Sequence, residues 1–129
     1  MLIVDVKVVK KMKTQSAKAK GRRFQQWVRD QLIEKLDVHP EDVESRSMGA
    51  GGEDLIMARA ARLKFPYSIE CKNQETLNVW KSYEQAESNS GDYEPILFIK
   101  RNNQKPLVVV DAEHFVKLLD GLNINSQKE

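Results

Sequence analysis

The feature that most constrains the fold is a series of short apolar segments of strand length, interrupted once by a helical pattern. The apolar segments are residues 55–60, 67–71, 95–100 and 107–110. Residues 79–88, between the two pairs, have the three- and four-residue spacing of a helix. Consecutive strands on both sides of one crossover helix predict a mixed sheet. We therefore predict an α/β fold with a central mixed β-sheet flanked by helices.

The N-terminal part of the chain predicts a further strand and a long helix. Residues 2–9 are rich in Val and partly alternate between apolar and polar, which predicts a short strand. Residues 10–20 are basic and poor in large apolar residues, so we expect an exposed turn or arm. A helix is predicted over residues 17–36, before His39-Pro40. One face of this helix contains Phe24, Trp27, Val28, Gln31, Leu32 and Leu36.

Shorter segments complete the assignment of elements. Residues 43–47 predict a short strand and residues 48–52 a Gly-rich loop. The segments at 55–60 and 67–71 are expected to be neighbouring antiparallel strands. Asp111 is expected to cap a last helix that runs through Leu119 and ends at Gly121.

The length of 129 residues predicts one domain with one core. Within this single domain, residues 1–19 would be the N-terminal strand and basic arm, residues 20–120 the core, and residues 121–129 a frayed tail. A 40% apolar and 31% charged composition argues against wholesale disorder. Cys71 is the single cysteine, so we expect a reducing location such as the cytoplasm, or the host-cell cytoplasm for a phage gene.

Charge is distributed unevenly along the chain. Residues 1–24 contain eight Lys or Arg and one Asp, whereas residues 41–54 contain five acids and one Arg. A basic arm beside an acidic loop suits a protein that grips a polyanion and holds a divalent cation. A solvated arm beside an ordinary acidic loop is the alternative interpretation.

Two acids and a lysine form the motif that carries chemistry. Asp54 follows a Gly-rich stretch and opens one predicted strand, while Glu70 and Lys72 lie two residues apart on the next. Because strand side chains alternate between faces, Glu70 and Lys72 point the same way. If the two strands are neighbours, the carboxylates of Asp54 and Glu70 converge with the Lys72 amine on one face. The alternative is a turn aspartate and a surface ion pair.

Phosphodiester hydrolysis needs such a set of groups. Two carboxylates can bind a hard divalent cation, which lowers the pKa of a bound water and polarises the phosphoryl group. The backbone carbonyl of Cys71 could supply another oxygen ligand. A lysine can orient the water or neutralise the developing charge.

These residues resemble the motif of the PD-(D/E)xK nuclease superfamily. Glu53-Asp54, fifteen intervening positions and Glu70-Cys71-Lys72 match it, and the element order over residues 20–110 resembles its Holliday-junction-resolvase-like branch, including small phage-type endonucleases. The resemblance implies a restriction-endonuclease-like core of order αβββαβ, a DNA substrate, and dependence on Mg²⁺ with Mn²⁺ as a substitute. It also implies that Asp54 and Glu70 are metal ligands and that Lys72 is the catalytic lysine.

The sequence departs from the family pattern at two places. Glu53 stands where the motif has proline, which only stiffens the entry to the strand. The first helix of such enzymes often supplies a further acid, but here the matching stretch reads Gln25-Gln26. A third metal ligand is therefore in question, and Glu44 is a candidate substitute.

Further residues are candidates for contacts with the substrate. On the predicted crossover helix, Gln85 is a candidate catalytic residue and Lys81, four residues before it, a candidate phosphate contact. The residues expected to bind the DNA backbone are Lys18, Lys20, Arg22, Arg23, Arg46, Ser47 and Lys81. Trp27 and Trp80 are expected in the core between helix and sheet, with base stacking as the alternative.

The leading hypothesis is a metal-dependent DNA endonuclease that acts on Holliday junctions or other branched DNA during recombination. Symmetric cutting of two strands predicts a homodimer. Three alternatives remain: a non-selective nuclease or nickase on the same fold, a DNA-binding module with a degenerate active site, and an accessory protein that binds a partner through its N-terminal strand.

Overall fold

The computed structural model describes residues 6–46 and 51–122, with side chains from residue 16 onward. Helices and strands are interspersed along the described chain. The elements are α1 (Val6–Leu36), a 3₁₀ turn (Pro40–Asp42), β1 (Val43–Ser45), β2 (Leu55–Met57), α2 (Arg59–Lys64), β3 (Tyr67–Asn73), α3 (Val79–Ser88), β4 (Glu94–Lys100), β5 (Leu107–Val109) and α4 (Ala112–Gly121). No helix among the described residues is both long and apolar enough to cross a membrane.

The strands form two sheets. β3 pairs with β4 in parallel and β4 pairs with β5 antiparallel, so this three-stranded sheet is mixed. α3 is the crossover that lets β3 and β4 run in parallel. β1 and β2 form a separate antiparallel pair in which Val43 faces Met57. The expectation of a mixed sheet with flanking helices is confirmed at this level.

The core lies where α1 covers the sheets. Phe24 and Val28 of α1 are buried against Leu55 of β2 and Ile69 of β3. Leu32 and Leu36, one and two turns further along α1, pack at the margin of this cluster. The apolar spacing of the helix therefore does position its buried face, and that face holds α1 across β3.

The predicted strand over residues 2–9 is wrong where the structure describes it. Residues 6–9 are helical, as are residues 10–20, which were expected to form a turn or arm. Residues 2–5 lie outside the described part of the chain. The 31-residue α1 extends this far because residues 10–20 contain five Lys and two Ala, which favour a helix, and no proline. Once the packed half of a helix has formed, each added residue gains a hydrogen bond without a new nucleation cost.

The region after β2 also differs from expectation. The strand ends at Met57, and residues 59–64 form α2, because Arg-Ala-Ala-Arg-Leu-Lys is made of strong helix formers. β2 is therefore not an antiparallel ladder partner of β3, although the two are neighbours through one hydrogen bond from Asp54 N–H to Ile69 O, at 2.9 Å.

The later elements agree with the sequence. α3 has the predicted bounds, and the Asp111 carboxylate accepts a hydrogen bond from His114 N–H at the start of α4. Of the predicted Gly-rich loop, residues 48–50 lie outside the described chain, as does the predicted tail over residues 123–129.

Both tryptophans are exposed, so their expected core positions are wrong. Trp27 is 44% exposed and Trp80 is 81% exposed. The buried stripe of α1 passes through Phe24 and Val28, which leaves Trp27 at its margin. α3 buries the small residues Ser82 and Ala86, and Trp80 points away from them.

Candidate active site

Asp54 is held against β3 from both sides of Glu70. Its backbone N–H donates to Ile69 O, and its Oδ2 accepts a hydrogen bond of 2.7 Å from Cys71 N–H. Their partners, Ile69 and Cys71, are the residues immediately before and after Glu70 on β3. The carboxylates of Asp54 and Glu70 therefore meet, as predicted from the sequence, although β2 and β3 do not share a ladder.

Glu70 is a buried acid with an unsatisfied oxygen. The residue is only 3% exposed, and its Oε2 has no hydrogen-bond partner among the described residues. Its other oxygen lies 3.6 Å from Lys72 Nζ. A buried carboxylate oxygen without a partner is costly, so it points to a ligand that supplies the missing interaction.

The site raises the pKa values of both acids. The pKa of Glu70 rises from 4.5 to about 7, first because the group is buried and second because Asp54 carries a like charge. Lys72 and the side chain of Asn89 oppose that rise. Burial also raises the pKa of Asp54, and the Cys71 N–H, Lys72 and Arg46 counteract it. Both anions would be stabilised by a cation placed between them.

The donor set fits a hard divalent cation. Asp54 and Glu70 offer carboxylate oxygens, and Cys71, which lines the same cleft, has a backbone carbonyl oxygen of the kind that such a cation binds. The described residues contain no group of three His, Cys, Asp or Glu side chains that could hold a metal, so further ligands would be water or substrate oxygens. Burial raises the pKa of the Cys71 thiol well above its ordinary value, which makes a thiolate ligand or nucleophile unfavourable.

Glu44 does not supply the third carboxylate. It is exposed on β1, where it lines a separate surface depression with Gln26 and Arg29. Glu53 is also directed elsewhere, because its carboxylate forms an ion pair with Arg62. The Arg62 guanidinium in turn lies over the Tyr93 ring, 4.1 Å from its centroid. Glu53 therefore anchors α2 to the entry of β2 instead of adding a ligand.

Gln25 stands on α1 where the family pattern often has a further acid, and its contacts use an amide instead. It is 2% exposed, and its Nε2 lies 2.7 Å from Ser45 Oγ, 2.7 Å from Arg46 O and 2.8 Å from Asp54 O, so its two N–H groups are shared among three acceptors. A carboxylate has no proton to donate to these oxygens when it is ionised. Gln25 thus ties α1 to both strands that lead to the site, and it fixes the backbone of Asp54.

Asp54, Glu70 and Lys72 open into a cleft of about 600 Å³, which we call the carboxylate cleft. Lys18 of α1 and Gln85 of α3 line it, as expected for groups that contact a substrate. The other lining residues are Ala17, Gly21, Gly51, Gly52, Cys71, Asn73, Gln74 and Asn89.

Asn89 is a functional candidate that the sequence analysis missed. It directly follows the last residue of α3, and its position in the sequence gives no hint that α3 ends beside Glu70. Its side chain lowers the pKa of Glu70, and its backbone carbonyl accepts from Ser68 Oγ at 3.4 Å.

The residues expected to bind DNA lie on several different surfaces of the structure. Lys18 lines the carboxylate cleft, whereas Lys20 and Arg23 line a second groove on another side of α1. Arg22 is exposed on the same helix, and Lys81 is exposed near the start of α3 without lining either space.

The Arg46 side chain makes contacts within the protein. Its Nε donates to Glu53 O at 2.7 Å, and its guanidinium lies against Gly52, whose φ of 91° favours glycine. Ser47 lies outside the described residues.

Comparison of the chain with family models, with curated proteins and with solved structures finds no match in any of the three. The chemistry of this site therefore has to be inferred from its own residues.

Proposed function

We propose that this protein is a metal-dependent DNA endonuclease of the PD-(D/E)xK type, with a restriction-endonuclease-like core. The observation that carries the proposal is the convergence of Asp54, Glu70 and Lys72 in an open cleft, with one buried oxygen of Glu70 left without a partner among the described residues. Metal-assisted phosphodiester hydrolysis uses two adjacent carboxylates and a nearby ammonium, and a bound cation would relieve the burial and like charge that raise the pKa values of both acids here.

Each side chain of the cleft has a role in this proposal. Asp54 and Glu70 would hold Mg²⁺ or Mn²⁺, with the Cys71 carbonyl beside them. The cation would supply charge stabilisation at the phosphate and a more acidic bound water. The Lys72 ammonium would orient the attacking water or neutralise charge on the phosphoryl oxygens. Gln85 lines the cleft from α3 and can donate a hydrogen bond to the same phosphate.

The basic residues of α1 support a polyanionic substrate. Lys18 lies in the cleft itself, and Lys20, Arg22 and Arg23 continue along the helix. Such side chains contact phosphates without reading sequence. Affinity for DNA in this proposal therefore comes from the backbone and falls with added salt.

Selectivity for Holliday junctions or other branched DNA, in a reducing cytoplasm, is the finer part of the proposal.

Cutting two strands symmetrically needs two active sites, and the exposed apolar side chains of α4 support a homodimer. None of the residues of α4 is buried, and its apolar side chains Phe115, Val116 and Leu119 are 55%, 60% and 43% exposed. An apolar face of this kind commonly marks a protein interface. Sedimentation of the native chain and of Phe115→Glu tests this, since a dimer built on α4 should dissociate in the variant.

The deciding experiment is a cleavage assay on a four-way junction, a flap and a linear duplex. The native chain, Asp54→Asn and Asp92→Asn are compared with Mg²⁺, Mn²⁺ or EDTA. The amide introduced by Asp54→Asn retains an oxygen that can accept from Cys71 N–H, so the variant removes charge with little change of shape. Asp92 is an exposed turn residue and serves as the matched control.

We expect metal-dependent cutting of the junction by the native chain and by Asp92→Asn, with a loss of about 100-fold or more in Asp54→Asn. Equal cutting of all three substrates would retain the nuclease and reject structure selectivity. Cutting that persists in Asp54→Asn would reject the assigned site.

A DNA-binding module with a degenerate site is the second candidate. It is favoured by Gln25, which occupies the expected position of an acid and whose Nε2 hydrogen-bonds to the backbone and to Ser45. This candidate predicts DNA binding in EDTA by folded protein, and no cleavage with either metal.

A further inference from the structure

A second groove of about 430 Å³ lies beside α1, and we call it the Trp27 groove. Lys20, Arg23 and Trp27 of α1 form one wall. Asn73 at the end of β3 and Lys100 at the end of β4 lie opposite them. In the parallel ladder Asn73 and Lys100 are partners, so the groove sits where the two paired strands end beneath the helix.

The helix presents these residues together because of their spacing. Positions 20, 23 and 27 recur at three- and four-residue steps and therefore share one face of α1. The residues of α1 that line the carboxylate cleft, Ala17, Lys18 and Gly21, lie on another face. Asn73 lines both spaces, so the Trp27 groove adjoins the carboxylate cleft. Asn73 follows Glu70 by three positions along the extended strand, a distance of about 10 Å.

Trp27 offers an aromatic surface in this groove. Its ring is stacked beside the buried Phe24, with 6.0 Å between centroids and 16° between planes. Phe24 therefore supports the orientation of the indole, while 44% of Trp27 stays exposed. A rigidly supported and partly exposed indole is a platform on which a planar base can stack.

The charges around the platform are positive. Lys20, Arg23 and Lys100 line the groove, and no acid lines it among the described residues. Beside the groove, the Glu75 carboxylate lies 4.0 Å from Lys20 Nζ and accepts a hydrogen bond from Asn102 N–H. The groove therefore combines an aromatic face with an excess of cations, the pair of features that binds single-stranded nucleic acid.

We propose that the Trp27 groove binds an unpaired nucleotide of DNA, with its base stacked on Trp27 and its phosphates contacted by Lys20, Arg23 and Lys100. A base inside a duplex has both faces covered by its neighbours, so it cannot use the platform. The groove thereby selects DNA with unpaired nucleotides, such as a flap, a gap or an opened junction. Its link to cleavage rests on the proposed nuclease function, but binding in the groove does not.

The test is the affinity of the protein for a labelled oligo-dT strand and for a linear duplex, measured by fluorescence anisotropy in EDTA. The native chain is compared with Trp27→Ala, Trp27→Phe and Trp80→Ala. Trp80 is the matched control, because it is exposed and lines neither the carboxylate cleft nor the Trp27 groove. Circular dichroism establishes that each variant is folded.

We expect Trp27→Ala to weaken single-strand binding by about 5- to 150-fold, the effect of losing one stacked base. Trp27→Phe, which keeps an aromatic ring, should retain most of the affinity, and Trp80→Ala should match the native chain. Duplex binding should change little in all three variants. The result that overturns the proposal is single-strand affinity that is the same in Trp27→Ala as in Trp80→Ala, or a native chain that prefers duplex.

The outcomes separate this proposal from the nuclease proposal. Without a divalent cation no cleavage is measured, so a chain that never cuts DNA can still show the Trp27 effect. Conversely, metal-dependent cutting that depends on Asp54 but is insensitive to Trp27 would retain the nuclease and reject the groove.

Discussion

The carboxylate cleft and the Trp27 groove adjoin α1 on different faces. They differ in how far their functional side chains are shielded from solvent. In the cleft, Glu70 is 3% exposed and its pKa is raised to about 7. In the groove, Arg23 is exposed and Trp27 is 44% exposed. The same helix thus borders a desolvated acidic site and a solvated basic site.

In the proposed function, this difference corresponds to two tasks: catalysis in the carboxylate cleft and DNA binding in the Trp27 groove. Desolvation strengthens electrostatic interactions and tunes acids, which a catalytic site needs. Solvated cations keep their charge and remain free to follow a mobile backbone, but salt screens them. We therefore expect changes in the cleft to alter rate and pH-dependent stability, and changes in the groove to alter affinity and its salt dependence.

The largest expected effect is that of Lys72→Met on cleavage. Removing the ammonium beside Glu70 should lower the single-turnover rate by about 100- to 1000-fold, with DNA affinity in EDTA nearly unchanged. Lys105→Met, at an exposed lysine outside both spaces, is the control. Because Lys72 also lowers the pKa of Glu70, full recovery of the variant at higher pH would show that Lys72 acts only through that carboxyl.

The second effect concerns pH and stability. Glu70 binds a proton more tightly in the folded chain than in the unfolded chain, so the metal-free protein should lose stability as the pH rises from 4.5 to about 7. The expected loss is about 3 kcal/mol, measured by urea unfolding in EDTA across that range. The raised pKa of Asp54 acts in the same direction.

Glu70→Gln should remove most of this pH dependence, whereas Glu84→Gln, at an exposed position of α3, should keep it. Adding Mg²⁺ above neutral pH should restore stability by about 2.7 kcal/mol when its concentration is a hundred times the dissociation constant. Equal stabilisation of Asp54→Asn by Mg²⁺ would contradict the assigned ligand.

A smaller effect is expected from Gln25, which contacts the backbone of Asp54. Gln25→Leu leaves up to three oxygens without their donor, so we expect a loss of about 2 kcal/mol in the free energy of unfolding. Gln26→Leu changes the neighbouring glutamine, which is exposed, and should leave stability within about 0.5 kcal/mol of the native value. Equal stability of the two variants in thermal unfolding would show that the Gln25 contacts add nothing to folding.

The smallest effect should be seen in the groove. Lys100→Ala would remove one of the proposed phosphate contacts, so the slope of log affinity against log salt concentration should fall in magnitude by about 0.7 for single-stranded DNA. Lys117→Ala, on exposed α4, should leave the slope unchanged. A native slope in Lys100→Ala would exclude that lysine from the bound strand and weaken the contrast between the two spaces.

Most of the secondary structure was predictable, and the errors have local causes. α3 and the Asp111 cap were found because spacing and capping depend on residues within one turn. The strand over residues 2–9 was mistaken because a short Val-rich run fits strand and helix alike, and the adjoining helix extends into it. The end of β2 was missed because α2 is only six residues long.

The candidate site was predictable in its residues but only partly in its roles. Asp54, Glu70 and Lys72 were chosen from alternation and a motif, and they do come together. Gln25 looked like a missing ligand, and its role as a donor became apparent only from acceptors up to 29 positions away in the chain. Trp27 looked like a core residue because helical spacing does not give the width of the buried stripe.

The sequence by itself determined the types of most elements, the buried face of α1 and the set of acids and lysine that could hydrolyse a phosphodiester. Those properties depend on neighbours within a few residues or on the alternation of a strand. Only the tertiary structure decided that Glu70 loses its solvent, that Gln25 fixes the Asp54 backbone and that Trp27 faces a basic groove. Burial and pKa depend on atoms supplied by distant segments of the chain, and these meet only when α1 packs across the end of β3.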